Sequence, residues 1–229
     1  MFSFFHTILY EPILSSLVFI YNNLSFNDLG LAITILTIAI RVVLFPFFYK
    51  SAKDQALMQR IQPRIKEIQV NNKTNKEQQA KELMALYKEH KLNPFSGLLL
   101  LVIQLPVFIV LFQVFSKGLS VDLFDNHTLF GLINLGNPHI VIALIAAGLQ
   151  WIQGKLTLAV APKQETGDKG SFASSLASTG KMMVIAGPLL TLLVLARLPA
   201  ALGLYWTISN LFSVIQQIHI NKKIHQSPF

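Results

Sequence analysis

The chain of 229 residues contains no cysteine, which excludes disulfides, thiolate chemistry, cysteine-ligated zinc and a lipidated cysteine. Charge is also scarce, because Asp, Glu, Lys and Arg make up 13% of the residues, whereas a soluble domain usually carries about 25%. Hydrophobic residues make up 52%, and the mean hydropathy is +0.51. The shortage of charge therefore points to a membrane protein.

Lys and Arg are absent from the first 28 positions. A cleavable signal peptide needs a positively charged region before its apolar core, so we expect residues 1–28 to be retained. Their apolar residues recur at roughly helical spacing, interrupted by Glu11 and Pro12. The pattern predicts an interfacial amphipathic helix outside the cytoplasm. A sixth membrane span is the alternative.

Five segments are apolar and long enough to cross a membrane, which takes about 20 helical residues. They are predicted at 29–49, 94–116, 137–157, 181–197 and 198–219. The last two form one apolar run divided near Arg197 and Pro199, which suit a tight turn at the membrane surface. The predicted fold class is all-α, a polytopic membrane protein with five transmembrane helices.

Lys and Arg are concentrated in segment 50–93 and around the loop 158–180, whereas the other side has only Lys117 and Arg197. The positive-inside rule places these two segments and the tail 220–229 in the cytoplasm. It places the N-terminus and the loop 117–136 outside. Topology thus explains nearly all of the net charge of +8, and no direct nucleic-acid recognition is expected.

Segment 50–93 is predicted to form a cytoplasmic helical hairpin. Its first half carries apolar residues on one helical face, namely Leu57, Ile61, Ile65 and Ile68. After a turn at 71–75, Thr74 and Glu77 match the S/T-x-x-E capping box that begins a helix. A solvated linker is the alternative.

Arg41 lies inside the predicted span 29–49 and stays charged, because a guanidinium does not lose its proton in a protein. Placing it near a bilayer centre costs about 2.5–3.5 kcal/mol on the insertion scale. No Asp or Glu lies within any predicted span, so Arg41 has no internal counter-ion. Such a charge usually faces a bundle interior or a watery cavity and marks function. Snorkelling towards the headgroups is the alternative.

Other spans also carry polar or amphipathic side chains. They are Gln104 and Gln113 in the second span, Gln150 and Gln153 in the third, and the stripe Trp206, Asn210, Ser213 and Gln217 in the fifth. Each alone is more often a contact between helices. Together with an unpaired arginine, they predict the lining of a hydrophilic groove that receives an acidic partner from elsewhere.

Catalytic patterns are lacking in the sequence. The six histidines have no metal-ligand spacing, and the spans contain no nucleophile–base pair or paired aspartates. Thr179-Gly180-Lys181 has Ser175 where a phosphate-binding loop needs glycine. A transporter or channel would show inverted repeats, which are not seen. We expect no enzyme activity, no cofactor and no metal.

Three ordered signatures resemble one known family over almost the entire chain. They are "AITILTIAIRVVLFPFFYKSAKDQALMQRIQPRIKEIQ", "ELMALYKEHKLNPFSGLLLLVIQLPVFIVLFQVF" and "LPAALGLYWTISNLFSVIQQ". They resemble the first core span, the entry to the second span and the final span of the YidC/Oxa1/Alb3 membrane protein insertases. The chain is most similar to the compact bacterial YidC type.

The resemblance implies an insertase of the bacterial inner membrane, with five spans around a groove open to cytoplasm and lipid. Arg41 falls on the family's groove arginine and Trp206 on its fifth-span aromatic, while its third-span glutamine is Gln150 or Gln153. The implied partners are nascent membrane proteins, the lipid bilayer, the ribosome, the signal recognition particle with its receptor, and the Sec translocon. The weakly basic tail after Gln217 argues against strong tail-mediated ribosome contact. An assembly chaperone without insertase activity is the alternative.

Overall fold

The computed structural model describes residues 7, 10–93, 96–117, 124–159 and 172–226, with side chains described throughout except at 97–103, 116–117, 172–183 and 225. Helices dominate these ranges, and the predicted helical class is confirmed. The elements are α1 (Glu11–Asn23), α2 (Leu29–Val43), α3 (Phe45–Arg60), α4 (Gln62–Asn71), α5 (Lys76–Glu89), α6 (Ser96–Lys117), β1 (Thr128–Leu129), β2 (Ile133–Asn134), α7 (Ile140–Leu158), α8 (Phe172–Leu195) and α9 (Ala200–Gln226).

The last helix, α9, lies at the centre of the bundle and packs against α2, α3, α6, α7 and α8. Its close approach to α7 depends on Gly203, because a Cβ there would lie 2.9 Å from Cγ2 of Ile142. Large apolar side chains remain exposed on the outside of the bundle, as at Ile185 and Ile215. A surface of this kind suits a lipid environment.

The described helices differ in how well they match a membrane span. Within the described ranges, α7 alone is long and apolar enough to cross a membrane by itself, and the bent pair α2–α3 is a second candidate if it forms one span. Gln104–Phe115 in α6 and Val184–Leu195 in α8 are shorter apolar helices. The presence of five spans stays a prediction.

The predicted span 29–49 is not one continuous helix in the structure, and its bounds as a membrane span stay a prediction. α2 ends at Val43, and α3 continues after a bend of 69°. Pro46 has no N–H to donate to the carbonyl of Val42, and this missing hydrogen bond favours the bend at this point. The bend turns the chain back towards the bundle.

Two other boundaries also differ from the predicted ones. Helix α8 begins at Phe172 rather than at 181, because the Ala- and Ser-rich residues before 181 are helical without being strongly apolar. Helix α9 extends to Gln226 rather than 219, since Ile220 and Ile224 are buried against Ala56 of α3. Most of the predicted tail 220–229 is therefore helical.

Helices α4 and α5 pack against each other through a small apolar cluster. Its buried members are Ile61, Ile65, Leu86 and Leu92, and Leu57 and Ile68 lie at its edge. These include all four residues of the predicted apolar face. Tyr87 also contacts the cluster, and burial raises the pKa of its hydroxyl.

The start of α5 corrects the predicted capping box. Asn75 is the N-cap, and its Oδ1 accepts a hydrogen bond from the backbone N–H of Gln78 at 3.0 Å. The box at Thr74 and Glu77 was wrong by one residue, because Asn caps a helix at least as well as Thr does. Glu82 also joins the two helices, accepting a bond from Nδ2 of Asn72 at 2.8 Å.

A two-stranded antiparallel hairpin lies in the predicted outer loop, pairing Thr128 with Asn134 and Leu129 with Ile133. In the β-turn 129–132, the two central residues Phe130 and Gly131 have φ values of 52° and 69°. Positive φ at both positions is the pattern of a type I′ turn. Glycine adopts it without strain, but a phenylalanine rarely does.

A buried carboxylate joins α3 to the start of α6. Asp54 is 5% exposed, and its Oδ2 accepts a hydrogen bond from Oγ of Ser96 at 2.5 Å. The backbone carbonyl of Ser96 accepts from Oγ of Ser51. Because an unsatisfied buried charge is costly, these contacts hold the two helices in one register.

We predict that Ser96→Ala destabilises the fold, because the variant leaves the Asp54 carboxylate without this donor. The expected loss is about 1–3 kcal/mol of unfolding free energy, the usual cost of an unsatisfied buried group. Reversible denaturation in detergent micelles measures it, with Ser16→Ala at an exposed site of α1 as the matched control. Equal stability of the two variants would show that the Asp54 contact contributes nothing.

Candidate functional site

Arg41 lies in the last turn of α2, and its side chain is 6% exposed. Its Nη1 donates a hydrogen bond to Oγ of Ser213 on α9 at 3.1 Å. Its Cζ lies 4.2 Å from the centroid of the Phe48 ring. A cation over an aromatic face gains about 2 kcal/mol or more when both are desolvated. A hydroxyl and a ring therefore hold the guanidinium.

The bend between α2 and α3 creates this arrangement. In a straight helix, Phe48 would lie two turns beyond Arg41, about 10 Å along the axis at 1.5 Å per residue. The 69° bend instead brings the ring of Phe48 onto the guanidinium. Phe48 is itself 7% exposed, so the contact is enclosed by the bundle.

Arg41 has hydrogen-bond donors that the bundle does not use. A guanidinium carries five N–H donors, and the bond to Ser213 uses one of them. Among the described residues, no carboxylate pairs with Arg41, and the predicted spans contain no Asp or Glu. The remaining donors suit a carboxylate supplied by another molecule, because a planar guanidinium can bind it through two parallel bonds.

Gln104 of α6 and Trp206 of α9 each contact the other helix. Nε2 of Gln104 donates to the hydroxyl of Tyr205 at 2.6 Å. The Trp206 ring lies edge-on to Phe108, with ring centroids 5.5 Å apart. Both Gln104 and Trp206 are half-buried, so part of each side chain can contact a molecule beside the bundle.

The two glutamines of α7 have different surroundings. Oε1 of Gln150 accepts a hydrogen bond from Oγ1 of Thr191 at 2.6 Å, so its side chain faces α8. Gln153 is half-buried, and its backbone carbonyl accepts from the Thr157 hydroxyl at 3.0 Å. That one of these two glutamines lines a groove stays a prediction.

Asn210 of the predicted stripe connects α9 to α7 directly, and Gln217 does so through Asn221. Nδ2 of Asn210 donates to the carbonyl of Ala146 at 3.0 Å. Nε2 of Gln217 donates to Asn221, whose own Nδ2 donates to the carbonyl of Leu156 at 2.7 Å. Polar side chains often join transmembrane helices in this way.

The structure therefore brings Arg41 and Ser213 together directly and distributes the other predicted residues among several helix contacts. The sequence interpretation missed Phe48, Tyr205, Thr191 and Asn221. Phe48 follows Arg41 by seven residues, a spacing that could have revealed it if the break before Pro46 had been recognised. Tyr205 precedes the predicted Trp206 and, unlike it, is fully enclosed at 2% exposed.

The family model described as 60Kd inner membrane protein matches residues 19–227. The chain belongs to this family. The Membrane protein insertase YidC of Geotalea daltonii is 31% identical over 218 residues, covering 93% of this chain and 37% of that protein. The one of Pelobacter propionicus is 30% identical over 231 residues, covering 96% and 39%. The resemblance stated from the sequence is confirmed, and this member spans less than two-fifths of the length of these relatives.

A solved structure shows the same fold. The crystal structure of an active YidC insertase with its first transmembrane domain resolved superposes with a TM-score of 0.62 at 23% identity. The match covers 92% of this chain and 45% of that chain. The helical architecture of the 60Kd inner membrane protein family is therefore present here.

We predict that Asn210→Leu weakens the fold by removing the bond to the Ala146 carbonyl while keeping the side-chain volume. The expected loss is about 0.6 kcal/mol, and at most about 1.7, as for hydrogen bonds between transmembrane helices. Unfolding in mixed micelles measures it. Thr207→Val is the control, since the Thr207 hydroxyl donates within its own helix to Gly203. A larger loss in the control would exclude the interhelical role of Asn210.

Proposed function

We propose that this chain is a membrane protein insertase. It moves short hydrophilic tails of nascent membrane proteins through a groove and releases their transmembrane segments into lipid, alone or with the Sec translocon. The observation that carries the proposal is the state of Arg41. Its guanidinium is enclosed and has unused hydrogen-bond donors, and the predicted spans contain no carboxylate to pair with it. The relatives named as YidC insertases support it.

The proposed driving force begins with the attraction between Arg41 and an acidic residue in the incoming tail. Two unit charges 4 Å apart attract by about 1 kcal/mol in water and about 4 kcal/mol at an effective dielectric of 20. The membrane potential adds about 2.3 kcal/mol per charge per 100 mV for an acidic tail that moves outward. Burial of the substrate's apolar segment in lipid, at about 25 cal/mol per Å², completes the transfer.

The proposed groove consists of Arg41, Gln104, Gln150, Gln153, Trp206, Asn210, Ser213 and Gln217. Arg41 and Ser213 form its charged part, supported by their direct hydrogen bond. Gln104 and Trp206 would contact the substrate with their exposed portions. Asn210 contributes mainly by holding α9 on α7 through its bond to Ala146, and Gln217 does so indirectly through Asn221, which bonds to Leu156 of α7.

The proposed setting is the bacterial inner membrane, with five spans, the N-terminus outside and the C-terminus in the cytoplasm. The paired helices α4 and α5 would then form a cytoplasmic hairpin that receives the substrate. Their apolar faces are occupied by each other, which leaves the Lys- and Arg-rich faces for the ribosome, the signal recognition particle and its receptor, or lipid headgroups.

We predict that Arg41→Ala slows insertion of a single-span substrate with an acidic tail at least about tenfold, equal to about 1.4 kcal/mol. Arg41→Lys should retain part of the activity, because it keeps the charge but loses the planar fork. Insertion into liposomes containing this protein alone measures both. Arg197→Ala removes an exposed arginine and should insert at the wild-type rate.

Equal losses in Arg41→Lys and Arg41→Ala would contradict a mainly electrostatic role for this arginine. Failure of the wild-type protein to insert above empty liposomes, together with stable co-purification of the substrate, would favour the assembly chaperone instead.

A further inference from the structure

Three large apolar side chains stand out from the end of the bundle where α2 begins. Phe26 is 96% exposed, Phe130 is 64% exposed and Leu132 is 85% exposed. Phe26 lies in the loop between α1 and α2, and the other two lie at the tip of the β-hairpin. Phe26, Phe130 and Leu132 are called the apolar tip below.

The backbone that carries the apolar tip is unusual. Phe26 and Phe130 have φ values of 53° and 52°. Bulky residues rarely adopt this strained conformation. The two strained residues are also two of the most exposed aromatic residues described. Their strained backbone exposes the two rings instead of packing them against the bundle. This points to a contact outside the chain.

Asp28 fixes the height of the apolar tip relative to α2. Its Oδ1 accepts from the N–H of Leu31 and caps α2, and its Oδ2 accepts from the N–H of Phe130 at 2.5 Å. Gly30 permits this approach, because a Cβ there would lie 2.9 Å from Cα of Leu129. Asp28 thus links the backbone of Phe130 directly to the first turn of a predicted span.

We propose that the apolar tip inserts into the lipid leaflet at the end of the bundle where α2 begins. The inference depends on α2 crossing the membrane and does not depend on the insertase activity. Leu29 is the first residue of α2, so the tip lies where that span leaves the hydrocarbon region. Aromatic and aliphatic side chains at that level bury apolar area among the headgroups.

The charge of this region identifies lipid hydrocarbon as the contact rather than anionic headgroups. Residues 1–28 and 118–136 contain no Lys or Arg and include Asp28 and Asp125. The only Lys and Arg residues predicted on this side are Lys117 and Arg197, which are too few to form the polybasic segment that acidic lipid attracts. Insertion of the apolar tip therefore relies on apolar burial and does not require acidic lipid.

Insertion of the apolar tip would determine the depth of Arg41 in the membrane. Arg41 follows Leu29 by twelve residues, which is about 18 Å along α2 at 1.5 Å per residue. Because Asp28 ties the apolar tip to the first turn of α2, anchoring of the tip fixes the height of that end. The tip thereby sets how far below the membrane surface the guanidinium lies.

The absence of native cysteine makes the test direct, since single cysteines can be introduced and spin-labelled in the full chain. The variants are Phe26→Cys, Phe130→Cys and Leu132→Cys, with Asn134→Cys at an exposed position of β2 as the matched control. The protein is placed in nanodiscs of zwitterionic lipid. Collision of the label with oxygen and with a water-soluble nickel chelate reports its environment.

We predict that labels at 26, 130 and 132 collide with oxygen severalfold more than with the nickel chelate, relative to the label at 134. The preference should not change when acidic lipid is added. Equal collision with both reagents would overturn the proposal, because the tip would then lie in water. Low collision with both would also overturn it, because another protein or a second copy would then cover the tip.

Discussion

The Arg41 guanidinium, held between the Phe48 ring and the Ser213 hydroxyl, is the contact on which the rest of the structure depends. A charge inside an apolar bundle must be paired, hydrated or shielded, and the predicted spans provide no carboxylate. The ring shields one face without neutralising the charge. These contacts therefore stabilise the buried guanidinium inside the bundle. They leave its positive charge available to attract an acidic ligand.

The same contact constrains the chain on both sides of it. Phe48 reaches Arg41 only because the helix breaks before Pro46, and the break starts α3 at an angle to α2. Helix α3 is then held at two further points, by Asp54 against Ser96 and by Arg60, which donates to the carbonyl of Ile224 at 2.9 Å.

The sequence was sufficient for features that depend on residue type and failed for those that depend on geometry. Arg41 was identifiable because a charge in an apolar run is visible directly, and so was the apolar face that includes Ile61 and Ile65. Phe48 was missed because its role exists only once the helix bends. The helical end of α9 was missed because its packing on α3 involves residues far apart in the chain. The stripe from Trp206 to Gln217 was predicted as one surface, but α9 is surrounded by helices, and its members meet different neighbours.

The central claim is that Arg41 acts by attracting acidic residues of the substrate, and a double-mutant cycle tests it most directly. Insertion rates would be measured for the wild-type protein and Arg41→Ala, each with a substrate whose tail carries aspartate or asparagine. We predict that the change to asparagine slows the wild-type protein more than the alanine variant, with a coupling energy of about 0.5–3 kcal/mol. Equal slowing of both proteins would give no coupling and would contradict a direct attraction between Arg41 and the tail.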